Sequence, residues 1–210
     1  MRIASLSLLT VCCLLLAVAP AMADTLYNNG TFNGNADAWA INFGFAVSDS
    51  FNVGSDPHVK SLNFVYWDGS AASPSSDLLT SVDMALGSTS FGGTYNTYGV
   101  TNNTFLATNS FGFSLYQANF LSAFDIPWVG AGYLTLQNAC TTSGCSVNTE
   151  IFWDENGGPS TAYENTLGSI PSEAFTLGGT RDTTPEPSSI MLFGSGLLGV
   201  FGVLRRKLMG

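Results

Sequence analysis

The densest set of groups able to do acid–base chemistry in this chain is the six-residue run Glu150-Ile-Phe-Trp-Asp-Glu155. Two carboxylates about 5 Å apart on one face could act as nucleophile and acid/base in a retaining cleavage of a glycosidic bond. Side-chain alternation along a strand works against this: Glu150 and Asp154 point one way and Glu155 the other, unless a bulge intervenes. The segment therefore reads as a core strand ending in an acidic turn, and no catalytic residue is assigned. Asp154, Glu155 and Asn156, with Asp68 and Asp83, could also offer oxygens to calcium, although there is no twelve-residue EF-hand loop. No cofactor and no metal site is expected, with calcium on those oxygens as the alternative. His58 is the one histidine; it follows Asp56-Pro57 and reads as a solvated loop residue. A single histidine rules out zinc sites built from several and leaves a His-based triad one candidate member. Cys140 and Cys145 are the cysteines beyond residue 23. In an oxidising compartment they are expected to close a disulfide across a short loop, contributing roughly 2 kcal/mol on the chain-entropy model. Trp39, Trp67, Trp128 and Trp153 could include a sugar-stacking platform, but aromatics of this kind more often fill a core.

These residues must be placed by strands. Between Asp24 and residue 177 no helical period is sustained, while several segments alternate with period two. Trp39, Ile41, Phe43, Phe45 and Val47 share one face of an expected strand, and Leu78, Thr80, Val82, Met84 and Leu86 share another. Further strands are expected at 61–67, 104–108, 111–120, 132–138, 149–153 and 173–177, separated by clusters such as Asp68-Gly69-Ser70, Gly92-Gly93 and Asn156-Gly157-Gly158. Eight to ten short strands without covering helices imply two sheets that bury each other. The fold class is all-β, a jelly-roll-like β-sandwich over residues 24–177, followed by a linker at 178–184. Sandwich glycanases of the laminarinase kind carry an ExDxxE strand; Glu150 and Glu155 match its ends, but Phe152 stands where its middle acid belongs. From Asp24 to Asp182, 14 acids face only Lys60 and Arg181, a net charge of −12. Nucleic acid is excluded as a partner, because phosphate binding needs a clustered cationic footprint.

The ends read as addresses. Residues 1–23 begin with Arg2, run apolar from Leu6 to Val18 and finish in Ala21-Met22-Ala23. That pattern is a signal peptide, with signal peptidase expected to cut between Ala23 and Asp24. At the other end, Pro185-Glu186-Pro187 precedes an uncharged stretch, 188–204, and then Arg205, Arg206 and Lys207. As a helix this stretch is about 25 Å long, enough to span if the bilayer thins locally and the bases snorkel. The basic flank puts that end in the cytoplasm and the body outside the inner membrane.

Pro-Glu-Pro, a glycine-containing apolar span and a terminal basic cluster, in that order over residues 185–210, resemble the PEP-CTERM sorting signal. The resemblance implies export in a bacterium with a Gram-negative-type envelope that makes exopolysaccharide, and recognition of the tail by exosortase, a membrane-embedded cysteine protease. Pro185, Glu186 and Pro187 would be the sorting motif and Arg205, Arg206 and Lys207 the cytoplasmic stop. The expectation is a non-enzymatic surface or extracellular-matrix protein, anchored in the inner membrane as a precursor, then cleaved and associated with exopolysaccharide. The alternative is a glycan-binding module or glycan hydrolase on the same sandwich.

Overall fold

The computed structural model describes residues 24–55, 57–70, 74–145, 149–181 and 196. The chain divides into two compact units, Met1–Thr180 and Arg181–Gly210. The strands are β1 (Asp24–Asn28), β2 (Ala38–Ala40), β3 (Ala46–Asn52), β4 (Pro57–Asp68), β5 (Leu79–Gly87), β6 (Asn96–Gly99), β7 (Asn102–Thr108), β8 (Ser114–Pro127), β9 (Ala131–Thr141), β10 (Ile151–Asn156), β11 (Ala162–Glu164), β12 (Gly168–Ile170), β13 (Ser172–Glu173) and β14 (Phe175–Arg181). They form two open sheets. One runs β1-β14-β4-β10-β13, with β8 also on β4, β7 on β8 and β2 on β10; the other runs β12-β11-β3-β9-β5-β6. The expected signal peptide and the tail, including the expected span 188–204 apart from helical Gly196, lie outside the described residues. Among the described residues no helix is long and apolar enough to cross a membrane.

The longest ladder pairs β4 with β8 antiparallel from His58↔Pro127 to Asp68↔Ser114. Alternation on β4 sends Leu62, Phe64 and Tyr66 inward, where they join Phe120 and Trp153 of their own sheet and Val47, Val82, Leu134 and Leu136 of the other in one cluster. Phe64 stacks on Phe120 with ring centroids 5.8 Å apart and meets Trp153 at the same separation. Each such fully buried side chain contributes about 1.5–3 kcal/mol of transfer free energy. Tyr27 of β1 reaches Phe51 of β3 at 6.3 Å, an aromatic contact between the two sheets.

Four expectations need correction. The segment 39–48 is not one strand: β2 lies in the first sheet and β3 in the second, and a turn at Phe43 (φ 55°) and Gly44 (φ 91°) stands between them. Ile41 is the crossing point, donating its N–H to Ile151 O and accepting from Ala139 N. Alternation survived the turn by accident, since Phe43 and Phe45 are exposed. In β5 the pairing with β9 slips between Leu79 and Ser81, so Leu79 is buried where the unbroken alternation placed Thr80. Strand β10 continues to Asn156, which puts Asp154 and Glu155 in the sheet and not in a turn. Finally, Gly178–Arg181, read as the start of the linker, is still strand β14, paired to β1 through Asp24↔Gly179. Its glycines suggested a flexible stretch, but they serve close packing: a Cβ on Gly179 would collide with the carbonyl oxygen of His58.

Candidate functional site

The Glu150–Glu155 run is taken apart by its own strand. Glu150 is exposed; Phe152 and Asp154 face away from the core, while Trp153 is fully buried within it and Glu155 shares its side. Asp154 is wholly buried beneath the loop that follows β1, accepting from Asn33 N at 2.8 Å, Gly34 N at 2.9 Å and the Trp67 indole N–H. Burial pushes its carboxyl above the ordinary range, against three hydrogen bonds that favour the ionised form. Glu155 accepts from Trp39 Nε1 at 3.2 Å. Asp154 is therefore a fastener for a surface loop, and the two carboxylates occupy opposite faces.

Of the other expected residues, His58 is in strand β4, not in a loop, with Nδ1 2.7 Å from Asp125 Oδ1. That contact and Lys60, 3.5 Å away, hold the Asp125 carboxyl below its usual range. Cys140 and Cys145 form a disulfide. Its loop is docked on Asp77, which accepts from Thr142 Oγ1, Ser143 N and Thr149 Oγ1 at 2.7–2.9 Å. Burial raises the Asp77 carboxyl, but these donors outweigh it and hold the group low. The proposed calcium oxygens do not converge: Asp68 is on β4, Asp83 on β5 of the other sheet, and Asp154 is engaged as described. Among the described residues no group of three His, Cys, Asp or Glu side chains is arranged to hold a metal. The expected sorting residues Pro185, Glu186, Pro187, Arg205, Arg206 and Lys207, and Ala23 at the expected signal-peptide junction, lie outside the described residues.

Two features were not anticipated. The first is a polar knot inside the protein. Asn29 Nδ2 lies 2.6–2.9 Å from Asp49 Oδ2, Ser160 Oγ, Ser172 Oγ and Glu173 O. Asp49 shares a face of β3 with core residues Val47 and Phe51, and burial raises its carboxyl to about 6. Glu173 is fully buried with neither carboxylate oxygen partnered; burial first, then the charge of Asp49, pushes it well above the carboxylate range.

The second is a groove of about 200 Å³ on the outer face of the eight-stranded sheet. Its floor carries Asn63 and Val65 of β4, Gln117 of β8 and Thr176 of β14, each alternating with a core-facing neighbour. One wall is Asn28 with Gly30, Thr31 and Phe32, from the loop that Asp154 fastens. Phe32 is 40% exposed, and Asn63 Oδ1 is buried without a hydrogen-bond partner. Residues from four strands and a loop make this site, so no local sequence motif announces it.

The PEP-CTERM protein-sorting motif matches residues 183–207. This motif indicates an exported protein whose precursor is membrane-anchored and sorted by exosortase in Gram-negative-type bacteria. No curated protein matches the chain. Solved structures similar to it include that of AvmM, which catalyses macrocyclization in alchivemycin A biosynthesis, at 12% identity over 79% of this chain and 90% of that one, with a TM-score of 0.26. Another is a structure of the infectious bursal disease virus Gt strain, at 12% identity over 80% of this chain and 41% of that one, with a TM-score of 0.29. Likenesses at this level carry no argument about the chemistry.

Proposed function

We propose that this chain is a non-enzymatic surface or matrix protein: a jelly-roll-like sandwich that is exported, cut free of its tail by exosortase, and retained with exopolysaccharide. The sorting motif at 183–207 is the observation that carries the reading. Signal peptidase removes residues 1–23, leaving Asp24, the first residue of β1, at the new N-terminus. The span at 188–204 holds the precursor until cleavage, and Arg205, Arg206 and Lys207 stop it at the cytoplasmic side. The non-enzymatic part rests on the carboxylates: Asp154 is engaged by three donors, Glu155 lies on the opposite face, and Glu150 is exposed at the surface. A retaining pair needs two acids about 5 Å apart across one substrate. The test is fractionation with intact-mass measurement in cells with and without exosortase. Cleavage and surface retention in the first and an uncut membrane form in the second support the reading; identical masses in both end it.

A further inference from the structure

We infer that the groove on the outer face of the eight-stranded sheet binds a neutral polysaccharide chain. The inference rests on the exopolysaccharide reading above and names the site and the class of glycan.

The lining decides the chemistry. No ionisable side chain contributes to it, although the body around it is strongly acidic. Its polar groups are the carboxamides of Asn28, Asn63 and Gln117 and the hydroxyls of Thr31 and Thr176. Each of these both donates and accepts, which is what an array of sugar hydroxyls requires. A polyanion gains nothing here, since there is no cation to meet it and the surrounding field repels it. The Asn63 carboxamide belongs to the floor of this row, its Oδ1 buried and without a hydrogen-bond partner among the described residues. The Phe32 ring, 40% exposed on the wall, offers an apolar face to the C–H side of a pyranose.

The shape fits a chain better than a single sugar. Asn28, Thr176, Asn63 and Gln117 lie on the adjacent strands β1, β14, β4 and β8, so the polar row crosses three inter-strand gaps, roughly 14 Å. A polymer laid across the strands would meet these groups in turn. An enzyme would need acids over the row; a binding site needs only amides, hydroxyls and a ring.

The test is glycan-array binding of the mature, surface-purified protein to neutral glucans, mannans, galactans and xylans beside acidic alginate and hyaluronan. Binding to at least one neutral polymer is expected, weakened about tenfold by Asn63→Ala, Gln117→Ala or Phe32→Ala, and unchanged by Phe45→Ala, an exposed ring outside the groove. Gln117 and Phe32 are partly exposed, so those variants keep the test sound if Asn63→Ala misfolds. No binding to any neutral polymer, binding confined to the acidic ones, or neutral binding untouched by Gln117→Ala and Phe32→Ala each overturn the inference. A protein that is cleaved and retained at the surface yet fails on the array sinks the groove alone. One that binds on the array but is never cleaved sinks the sorting reading alone.

Discussion

The backbone N–H of Glu173 donates to Asp49 Oδ2 at 2.7 Å, joining β13 of one sheet to β3 of the other where both side chains are wholly buried. Two acids in the interior cannot both ionise cheaply, because each charge is desolvated and each repels the other. Glu173 takes the larger penalty, as neither of its carboxylate oxygens has a donor. The knot is thus most stable with protons on it.

This fixes a pH dependence with a definite sign. The Asp49 carboxyl is raised by burial from 3.8 to about 6. The folded state therefore binds its proton more tightly than the unfolded chain does. The stabilisation is fully present below pH 3.8 and is lost as pH rises to about 6, amounting to about 3 kcal/mol from this group. Glu173, raised further, adds a loss of the same sign. Urea unfolding from pH 4 to 8 should show stability falling, and Asp49→Asn should flatten the slope and exceed wild type at pH 8. A stability that rises over this interval would contradict the argument.

Asp154→Ala should cost about 3 kcal/mol, because it leaves the Trp67 indole and two loop N–H groups without their buried acceptor. Limited proteolysis should then cut near Asn33 and Gly34, which Asp154 holds in wild type. Glu150→Gln should stay within about 0.5 kcal/mol of wild type, as an exposed substitution. Neither Glu150→Gln nor Glu155→Gln should alter any glycan-related behaviour. Loss of a hydrolytic activity in either, with the fold retained, would bring the hydrolase reading back.

The disulfide and Asp77 act on the same loop by different means. Cys140 to Cys145 shortens the unfolded chain's freedom, while in the folded state Asp77 binds the loop through Thr142 and Ser143 and also holds Thr149 beyond it. Paired Cys140→Ser and Cys145→Ser should therefore lower stability by only about 2 kcal/mol and leave the sheet intact. Peptide mapping without reductant should recover the two cysteines in one linked peptide. Two free thiols in envelope-purified protein would refute the bond.

What the sequence made legible was local. Leu62, Phe64 and Tyr66 alternate on β4, and period two shows their common face. The turn at Phe43-Gly44 escaped because two exposed phenylalanines continued the alternation across it. Asp49 could have been suspected: it stands between Val47 and Phe51 on one face, an acid in an apolar stripe. Glu173 could not, since its burial comes from a two-residue strand packed by distant elements. The same is true of the groove, whose amides come from strands far apart in the chain and become neighbours only through the sheet order. The tail was readable for the opposite reason: a sorting signal is recognised as a linear string, with no tertiary partner needed.

That string gives the last prediction. If exosortase reads Pro185-Glu186-Pro187, then Glu186→Ala and truncation after Thr184 should both change processing, but in different ways. The first leaves the apolar stretch 188–204 in place, so the protein should stay in the inner membrane, beginning at Asp24 and heavier by the uncut tail. The second removes that stretch, and the body should be released soluble, since a domain with a net charge of −12 has no attraction for anionic lipid. Wild type should match neither: it should begin at Asp24, lack Arg205, Arg206 and Lys207, and still sediment with the cell surface or matrix. Retention after loss of the anchor then needs something other than the bilayer to hold the protein, and the neutral groove supplies a means. Wild-type protein that keeps its Arg-Arg-Lys end in cells expressing exosortase would reduce the tail to a plain anchor.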